Sequence, residues 1–249
     1  MKRVALGVIA CGLVFSLVGC STWGMSKEDK TLMKRYEASA YPRNPVPALK
    51  RVAVVVVDAS VQYPPNLFEF SSALYDEFQQ VHGIEAIPNR VTLSVIEANG
   101  FLLPRDGLKL ADALKADGVF VAVVTDFSPY NEPSMAMALT LFSRAAPALD
   151  PIDLDKVVQG GKPLSMPTDR SLGPITAVYG VFDASQQGTR KRLEWFAMGH
   201  TAESEGYGWE RYYRSMPNFM HFVSYDMVWK IFEHLQDEMK RIKKAPHGR

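Results

Sequence analysis

The chain has 249 residues, of which 47% are hydrophobic and 22% are charged, a composition typical of a globular protein. Its 28 basic and 27 acidic residues give a formal charge of +1, which argues against nucleic acid as a partner, because nucleic-acid binding depends on a basic surface. The only cysteines are Cys11 and Cys20, so the rest of the chain has no thiol for catalysis, no disulfide and no Cys-type metal site.

Residues 1–19 have the pattern of an export signal. Lys2 and Arg3 give it a positive start, and an apolar run from Val4 to Leu17 follows. That run is shorter than the span of about 20 residues that a transmembrane helix needs. Cleavage after residue 19 would change the formal charge to −1, because it removes both basic residues. The alternatives are an ordinary signal peptide with a chance cysteine, or a short signal anchor.

The sequence Leu17-Val18-Gly19-Cys20 resembles the bacterial lipobox, in which the cysteine takes a diacylglycerol and becomes the first residue. The resemblance implies several fatty acyl chains, such as palmitate, on Cys20, and more than one chain anchors a protein stably. Ser21 follows, whereas an aspartate there commonly retains lipoproteins in the inner membrane. We therefore expect a lipid anchor in the outer membrane of a Gram-negative host, with the protein facing the periplasm.

Residues 20–50 are predicted to be a lipidated tether. Ser26 to Ala38 has the composition of a short polar helix, and Pro42, Pro45 and Pro47 favour an extended chain after it. Fully stretched, about 30 residues would reach roughly 100 Å. The sequence thus predicts a domain that stands away from its membrane.

A single domain is predicted over residues 51–244, and it begins with the valine run from Arg51 to Asp58. An unbroken apolar run is typical of a strand that is buried on both faces. Asn66 and Glu69 form a variant of the capping box and predict the start of a helix. The apolar residues that share one face of this helix are Leu67, Phe70, Leu74, Phe78 and Val81.

Alternating strands and helices are predicted after this helix. They are a strand from Ile84 to Ile87, a helix from Asn89 to Asn99 ended by Gly100, a helix from Asp106 to Ala116, and strands from Val119 to Phe127 and Met135 to Phe142.

The remaining residues are predicted to form an irregular insertion at 145–174, a hairpin, a long carboxy-terminal helix and a tail at 245–249. The hairpin would pair Ile175 to Phe182 with Leu193 to Thr201. The last helix starts at Pro217. The element order predicts an α/β (α+β) fold, a mixed sheet flanked by helices in one domain. The apolar face of the last helix contains Phe219, Val223, Met227, Ile231, Leu235, Met239 and Ile242.

Residues 51–142 resemble the TolB amino-terminal-like domains of envelope lipoproteins. The segments that carry the resemblance are Val52 to Asp58, Asn89 to Ile96, and Leu110 to Val124. Such domains occur in the curli secretion lipoprotein, in lipoprotein activators of penicillin-binding proteins and in a flagellar outer-ring protein. A typical member has Val-Glu-Arg after its first helix, and here only Arg90 matches. The chain after residue 145 has no counterpart, so the resemblance implies an envelope lipoprotein fold and no particular activity.

Asp58 and Asp126 each follow a valine-rich strand. If the two strands are parallel neighbours, both carboxylates lie at the carboxyl edge of the sheet, where α/β proteins often have their sites. Paired carboxylates can do acid–base chemistry or hold a cation. The alternative interpretation is a polar strand end or a helix-entry turn. The five histidines show no metal-binding spacing, and no metal or cofactor is predicted.

The segment from Gly206 to Arg214 is the densest aromatic cluster of the chain. Tyr207, Trp209 and Arg211 are predicted to bind a partner, because Tyr, Trp and Arg are enriched at interface hot spots. In an extended segment these three residues would share one side with Tyr213. The alternative is an aromatic lid that closes the edge of the sheet.

These features favour a non-enzymatic envelope lipoprotein, an accessory or assembly factor that binds another envelope protein. A periplasmic hydrolase or cation-binding protein with a site at Asp58 and Asp126 is the alternative, and a small-ligand sensor is a third. An enzyme should gather polar side chains in a concave pocket, whereas a binding module should expose an aromatic patch.

Overall fold

A five-stranded sheet lies at the centre of the protein. We describe it from a computed structural model that covers residues 26–37, 40–60, 63–130, 132–144, 173–200 and 208–244. The strands are β1 (Arg51–Asp58), β2 (Glu85–Ala86), β3 (Gly118–Ser128), β4 (Ser134–Ser143) and β5 (Thr176–Asp183). Their order is β2-β1-β3-β4-β5. β1 is parallel to β2 and β3, whereas β4 is antiparallel to β3 and β5.

Seven helices flank this sheet among the described residues. They are α1 (Lys27–Arg35), α2 (Leu67–Gln79), α3 (Asn89–Asn99), α4 (Gly107–Leu114), α5 (Gln187–His200), α6 (Glu210–Arg214) and α7 (Met216–Lys244). The predicted mixed sheet with flanking helices and a long carboxy-terminal helix is confirmed. None of the described helices is long and apolar enough to cross a membrane.

The two valine-rich strands are buried on both faces, as their sequences predict. Val54 belongs to the core on one face of β1, and Val55 belongs to the core on the other. Side chains alternate along a strand, so a strand that is covered on both faces is apolar at every position.

The larger core lies between the sheet and helices α2 and α7. Phe78 of α2 and Phe232 of α7 meet on Phe120 of β3, with ring centroids 4.5 and 5.9 Å from that residue. The start of α2 is capped as predicted, because the Asn66 side chain accepts a hydrogen bond from the Glu69 N–H. Phe70, Leu74 and Phe78 of the predicted apolar face are buried in this core, whereas Leu67 at the start of the helix is exposed.

Helices α3 and α4 cover the opposite face of the sheet and form a smaller core. Gly100 ends α3 in the left-handed conformation, with φ of 62°, which glycine adopts without steric cost. Gly107 begins α4 so close to the sheet that an added Cβ would lie 2.7 Å from the Phe142 ring. The close approach depends on Gly107 alone of these two glycines, because a Cβ at Gly100 would meet nothing within 4 Å.

The predicted hairpin after β5 is wrong. The segment from Leu193 to Thr201 was expected to be a strand, but its described part belongs to helix α5. Leu193, Trp195 and Ala197 are buried at alternate positions, which imitates a strand, but Phe196 between them is buried as well. β5 therefore pairs with β4 alone among the described strands.

Residues 40–50 and helix α1 belong to the folded unit, together with the described part of residues 51–244. Tyr36 and Leu49 are completely buried in the larger core. The Tyr225 hydroxyl lies within hydrogen-bonding distance of the Arg35 and Ala40 carbonyls. Much of the segment predicted as a tether thus packs on the domain. Most of the predicted insertion (residues 145–172) and residues 1–25 lie outside the described residues.

Candidate functional site: the carboxyl end of β1 and β3

The neighbours of β1 in the sheet, β2 and β3, lie on opposite sides of it, so the carboxyl ends of β1 and β3 form a switch point in the topology. From β1 the chain crosses through α2 to β2 on one side, and later through α3 and α4 to β3 on the other. The two crossings pack on opposite faces of the sheet, since α2 contributes to the larger core and α4 to the smaller one. Ligands of open α/β sheets bind where crossings diverge in this way, at the carboxyl ends of the strands.

Asp58 lies at this end, where it organises the turn that follows β1. Its Oδ1 accepts hydrogen bonds from the Ser60 backbone N–H, at 2.8 Å, and from the Ser60 hydroxyl. The Tyr63 carbonyl lies 2.9 Å from the same hydroxyl. Ser60 is completely buried, so Asp58 holds a local Asx-type turn. This geometry is that of a polar strand end, because the cap of α2 is Asn66, eight residues further along the chain.

Asp126 lies near the end of the adjacent strand. The register of β1 and β3 pairs Asp58 with Val124, two residues before Asp126. A shift in the β3–β4 register between Val124 and Asp126 marks a bulge, and Asp126 itself is exposed. The two aspartates thus belong to the same edge of the sheet. Among the described residues, no group of three or more His, Cys, Asp and Glu side chains could hold a metal ion.

Large exposed side chains surround these strand ends. Tyr130 is 61% exposed and Phe68 is 52% exposed. The rings of Tyr63 and Tyr130 meet edge to face, with centroids 5.1 Å apart, so the loops that follow β1 and β3 contact each other. We call the surface formed by Tyr63, Leu67, Phe68 and Tyr130 the aromatic end; Leu67 is also exposed. Clustered apolar exposure of this kind is typical of binding surfaces, whereas single exposed apolar residues are common everywhere.

Glu132 connects the loop of Tyr130 to helix α6. Its Oε1 lies 3.1 Å from Arg190 of α5 and accepts a hydrogen bond from the Tyr213 hydroxyl at 3.3 Å. Glu132 has a φ of 66°, which is uncommon for a residue with a side chain. Such conformations persist where surrounding contacts determine them, and here those contacts are Arg190 and Tyr213. The aromatic end therefore adjoins the aromatic segment of α6.

The described part of the aromatic segment is helical over Glu210–Arg214 rather than extended, which changes the predicted faces. Trp209 and Tyr213 lie four positions apart with ring centroids 6.2 Å apart, and both are half-buried against the larger core. Tyr212 is buried, and the Arg211 guanidinium lies 5.0 Å from its ring centroid. The expected alternation, which grouped Arg211 with Trp209 and Tyr213, is thus wrong, because helical neighbours are three or four positions apart. Tyr207 lies outside the described residues.

Asp226 is a buried carboxylate that the sequence analysis missed. It is 4% exposed; its oxygens lie 2.6 Å from the Tyr36 hydroxyl, 2.8 Å from Arg192 and 3.8 Å from Arg35. Burial and this carboxylate raise the pKa of Tyr36, so its hydroxyl stays protonated and donates. Asp226 follows Val223 by three positions and therefore falls on the predicted apolar face. A charge at such a position was the signal that could have identified it.

Glu77 of α2 is a second carboxylate of this kind, three positions after Leu74 on the apolar face. Its Oε2 accepts a hydrogen bond from the Tyr41 hydroxyl at 2.7 Å, and its Oε1 lies 3.2 Å from His221 Nδ1. The hydrogen bond to Glu77 raises the pKa of His221. All four oxygens of Glu77 and Asp226 have protein partners. Glu77 thus holds Tyr41 on α2, and Asp226 holds Tyr36 on α7. Neither carboxylate presents an open position for a ligand.

No family model matches the sequence, and a search of curated proteins finds no match. Similar solved structures include lipoprotein GNA1162 of Neisseria meningitidis, at 11% identity and a TM-score of 0.36, covering 54% of this chain and 80% of that one. The hypothetical protein CT253 of Chlamydia trachomatis is 16% identical with a TM-score of 0.38, covering 74% and 96%. The LpoB C-terminal domain of Salmonella enterica is 12% identical with a TM-score of 0.34, covering 54% and 83%.

The similar structures therefore include a bacterial lipoprotein, GNA1162. Their TM-scores and identities are too low to support an argument about activity, so the assignment of the site rests on the geometry of this chain. The resemblance of residues 51–142 to TolB amino-terminal-like domains stays a prediction.

Proposed function

We propose that this protein is a non-enzymatic lipoprotein of the bacterial envelope, acylated on Cys20, whose domain binds another envelope protein through the aromatic end. The observation that carries the proposal is the exposure of Phe68 and Tyr130 at the switch point of the sheet. An enzyme would place converging polar groups there. Here the nearby Asp58 is engaged in its own turn.

The adjoining helix α6 extends this surface. Trp209 and Tyr213 are half-buried beside the core and linked to the loop of Tyr130 through Glu132. Hot spots are typically aromatic anchors with a rigid base, surrounded by less important contacts. We therefore propose Tyr130 and Phe68 as the anchors and the predicted partner-binding residues Trp209 and Arg211 as further contacts of the same surface. Tyr207, the third residue predicted to bind a partner, lies outside the described residues.

The anchoring half of the proposal has its own test. Cys20→Ser should abolish labelling by a clickable fatty acid, and equal labelling of variant and wild type would contradict acylation at Cys20. The residue after Cys20 tests the localisation. With Ser21 the wild type should fractionate with the outer membrane, whereas Ser21→Asp should retain the protein in the inner membrane.

The binding half is tested by a photo-crosslinking amino acid placed at single exposed positions in living cells. Incorporation at Phe68 and at Tyr130 should yield the same crosslinked protein. Matched controls at Val91 on α3 and Ile242 on α7, which are 47% and 40% exposed, should not yield it. Crosslinks of equal strength from the control positions would contradict the assignment of the surface.

Truncation separates binding from folding. Tyr130→Ala should weaken the captured complex by about 30-fold, as expected for a hot-spot loss of about 2 kcal/mol. Because Tyr130 is 61% exposed, the same change should leave the melting temperature nearly unaltered. A large fall in melting temperature with intact binding would mean that the residue serves the fold.

A further inference from the structure

Helix α1 carries one exposed basic face. Lys27, Lys30 and Lys34 are all exposed, and their spacing of three and four positions places them on one side. Asp29 points the other way, toward α5, and its carboxylate lies 3.0 Å from Lys191. We call the surface of Lys27, Lys30, Thr31 and Lys34 the lysine face.

Two clefts with apolar floors lie beside α1. One, of about 570 Å³, is lined by Met33, Trp195 and Met198, and Met198 is 62% exposed. The other, of about 720 Å³, is lined by Leu32 and Trp229, among others. Lys34 borders both clefts. The apolar side of α1 packs on the domain, since Leu32 and Met33 contact the larger core and Tyr36 is buried in it, so the lysines are the part of the helix that faces outward.

The lysine face is held in a fixed orientation. The last turn of α1 is tied to α7 by Arg35, whose guanidinium donates to the Asp226 carbonyl at 3.1 Å and lies 3.3 Å from Glu233. Tyr36 is anchored to the same Asp226 through its hydroxyl. Since both contacts are largely buried, α1 moves with the domain rather than as a free leader.

The chain length places this face near the acylated residue. Only residues 21–25 separate Cys20 from Ser26, the cap of α1. From Cys20 to Lys27 the chain spans about 25 Å at most, at 3.3–3.6 Å per residue. An acyl anchor on Cys20 therefore keeps the first turn of α1 within about 25 Å of the bilayer, close enough for its lysines to reach the headgroup region.

We propose that the lysine face of α1 lies on the membrane surface and binds anionic phospholipid headgroups, which fixes the orientation of the domain on its membrane. The inference rests on the proposed acylation of Cys20 and adds a second contact to it. The three lysines complement an anionic surface, whereas Glu37 and Glu233 lie at the adjoining clefts and Glu233 is paired with Arg35. Each lysine near such a surface strengthens binding about fivefold, so the three together contribute about 100-fold.

The test uses the acylated full chain, reconstituted into vesicles of phosphatidylcholine alone or with about one-third phosphatidylglycerol. The chain after Cys20 has no cysteine, so Thr31→Cys and Val91→Cys each accept a fluorophore at one site. Thr31 lies on the lysine face, and Val91 is exposed on α3, which covers the opposite face of the sheet. Lipids with a nitroxide headgroup then quench whichever fluorophore touches the membrane.

We expect strong quenching at position 31 in anionic vesicles, weak quenching in neutral ones and none at position 91. Replacing Lys27, Lys30 and Lys34 by Gln should lower the equilibrium constant for contact between the lysine face and the membrane by about 100-fold. Replacing Lys240, Lys243 and Lys244, also exposed, removes the same charge from the end of α7 and should change nothing.

Two results would overturn the inference: equal quenching at positions 31 and 91, or equal effects of the two triple variants. If the protein inserts into vesicles but position 31 is not quenched, the membrane contact of the lysine face is refuted and the acyl anchor on Cys20 is not. A chain that carries no acyl group and stays out of the vesicles would refute both this inference and the proposed anchor.

Discussion

Removal of the Asp226 carboxylate should be among the most destabilising single changes in this protein. Asp226→Asn keeps the volume of the side chain but removes the charge that Arg192 and Arg35 face, at 2.8 and 3.8 Å. The Tyr36 hydroxyl also loses its charged acceptor. The two arginine side chains are only 25% and 14% exposed, so water replaces the carboxylate poorly.

The size of the effect follows from these contacts. A hydrogen bond to a charged group contributes about 1.5–3 kcal/mol, and Asp226 accepts two short ones. Breaking a buried pair by removing one partner typically costs about 3–5 kcal/mol. For a chain of this size that cost corresponds to a fall in melting temperature of roughly 10 °C.

Urea denaturation of the wild type and the variant measures the free energy of unfolding directly. Asp112→Asn is the matched control, because Asp112 and Arg144 form an ion pair at 3.3 Å in which both side chains are about 60% exposed. An exposed pair contributes about 0–1 kcal/mol. If Asp226→Asn cost no more than this control, the assignment of Asp226 as the residue that fixes α1 to α7 would be wrong.

Three further predictions concern pH, packing and metals. The hydrogen bond to Glu77 raises the pKa of His221. The interaction of protonated His221 with Glu77 therefore stabilises the fold fully below about pH 6.5, and this stabilisation is lost as pH rises through the folded-state pKa. His221→Gln should therefore lower the urea midpoint more at about pH 5.5 than at about pH 9, and equal losses would contradict this. Gly107→Ala should cost about 1–3 kcal/mol by overpacking against Phe142, and an unchanged urea midpoint would show that the ring can give way. EDTA should leave the melting temperature unchanged, and one tightly bound zinc or iron ion per chain in elemental analysis would contradict this.

Much of the sheet could be predicted from hydrophobic periodicity. Residues 52–57 and 119–124 are apolar at successive positions because helices cover both faces of the sheet, and the sequence reflects that directly. The helix at 187–200 was missed because its buried side chains include an alternating set around Phe196. Over so short a segment, a period of two and a period of 3.6 fit the same residues.

The candidate site could be located from the sequence only in part. Asp58 and Asp126 were expected at one edge because they follow neighbouring parallel strands, and the register of β1 and β3 agrees. The contact between Tyr63 and Tyr130 depends on loop conformation, which hydrophobic patterns do not encode. The hydrogen bond between Tyr213 and Glu132 joins residues 81 positions apart and has no local signal.

The docking of α1 also limits where a partner can lie. A free tether of about 30 residues would allow roughly 100 Å between membrane and domain, but the packing of Tyr36 and Leu49 removes most of that length. Residues 21–25 alone span at most about 17 Å, and a domain of about 220 residues is roughly 45 Å across. With Cys20 acylated, the aromatic end thus lies within about 60 Å of the bilayer. The proposed partner would then have to present its binding site within about 60 Å of the same bilayer.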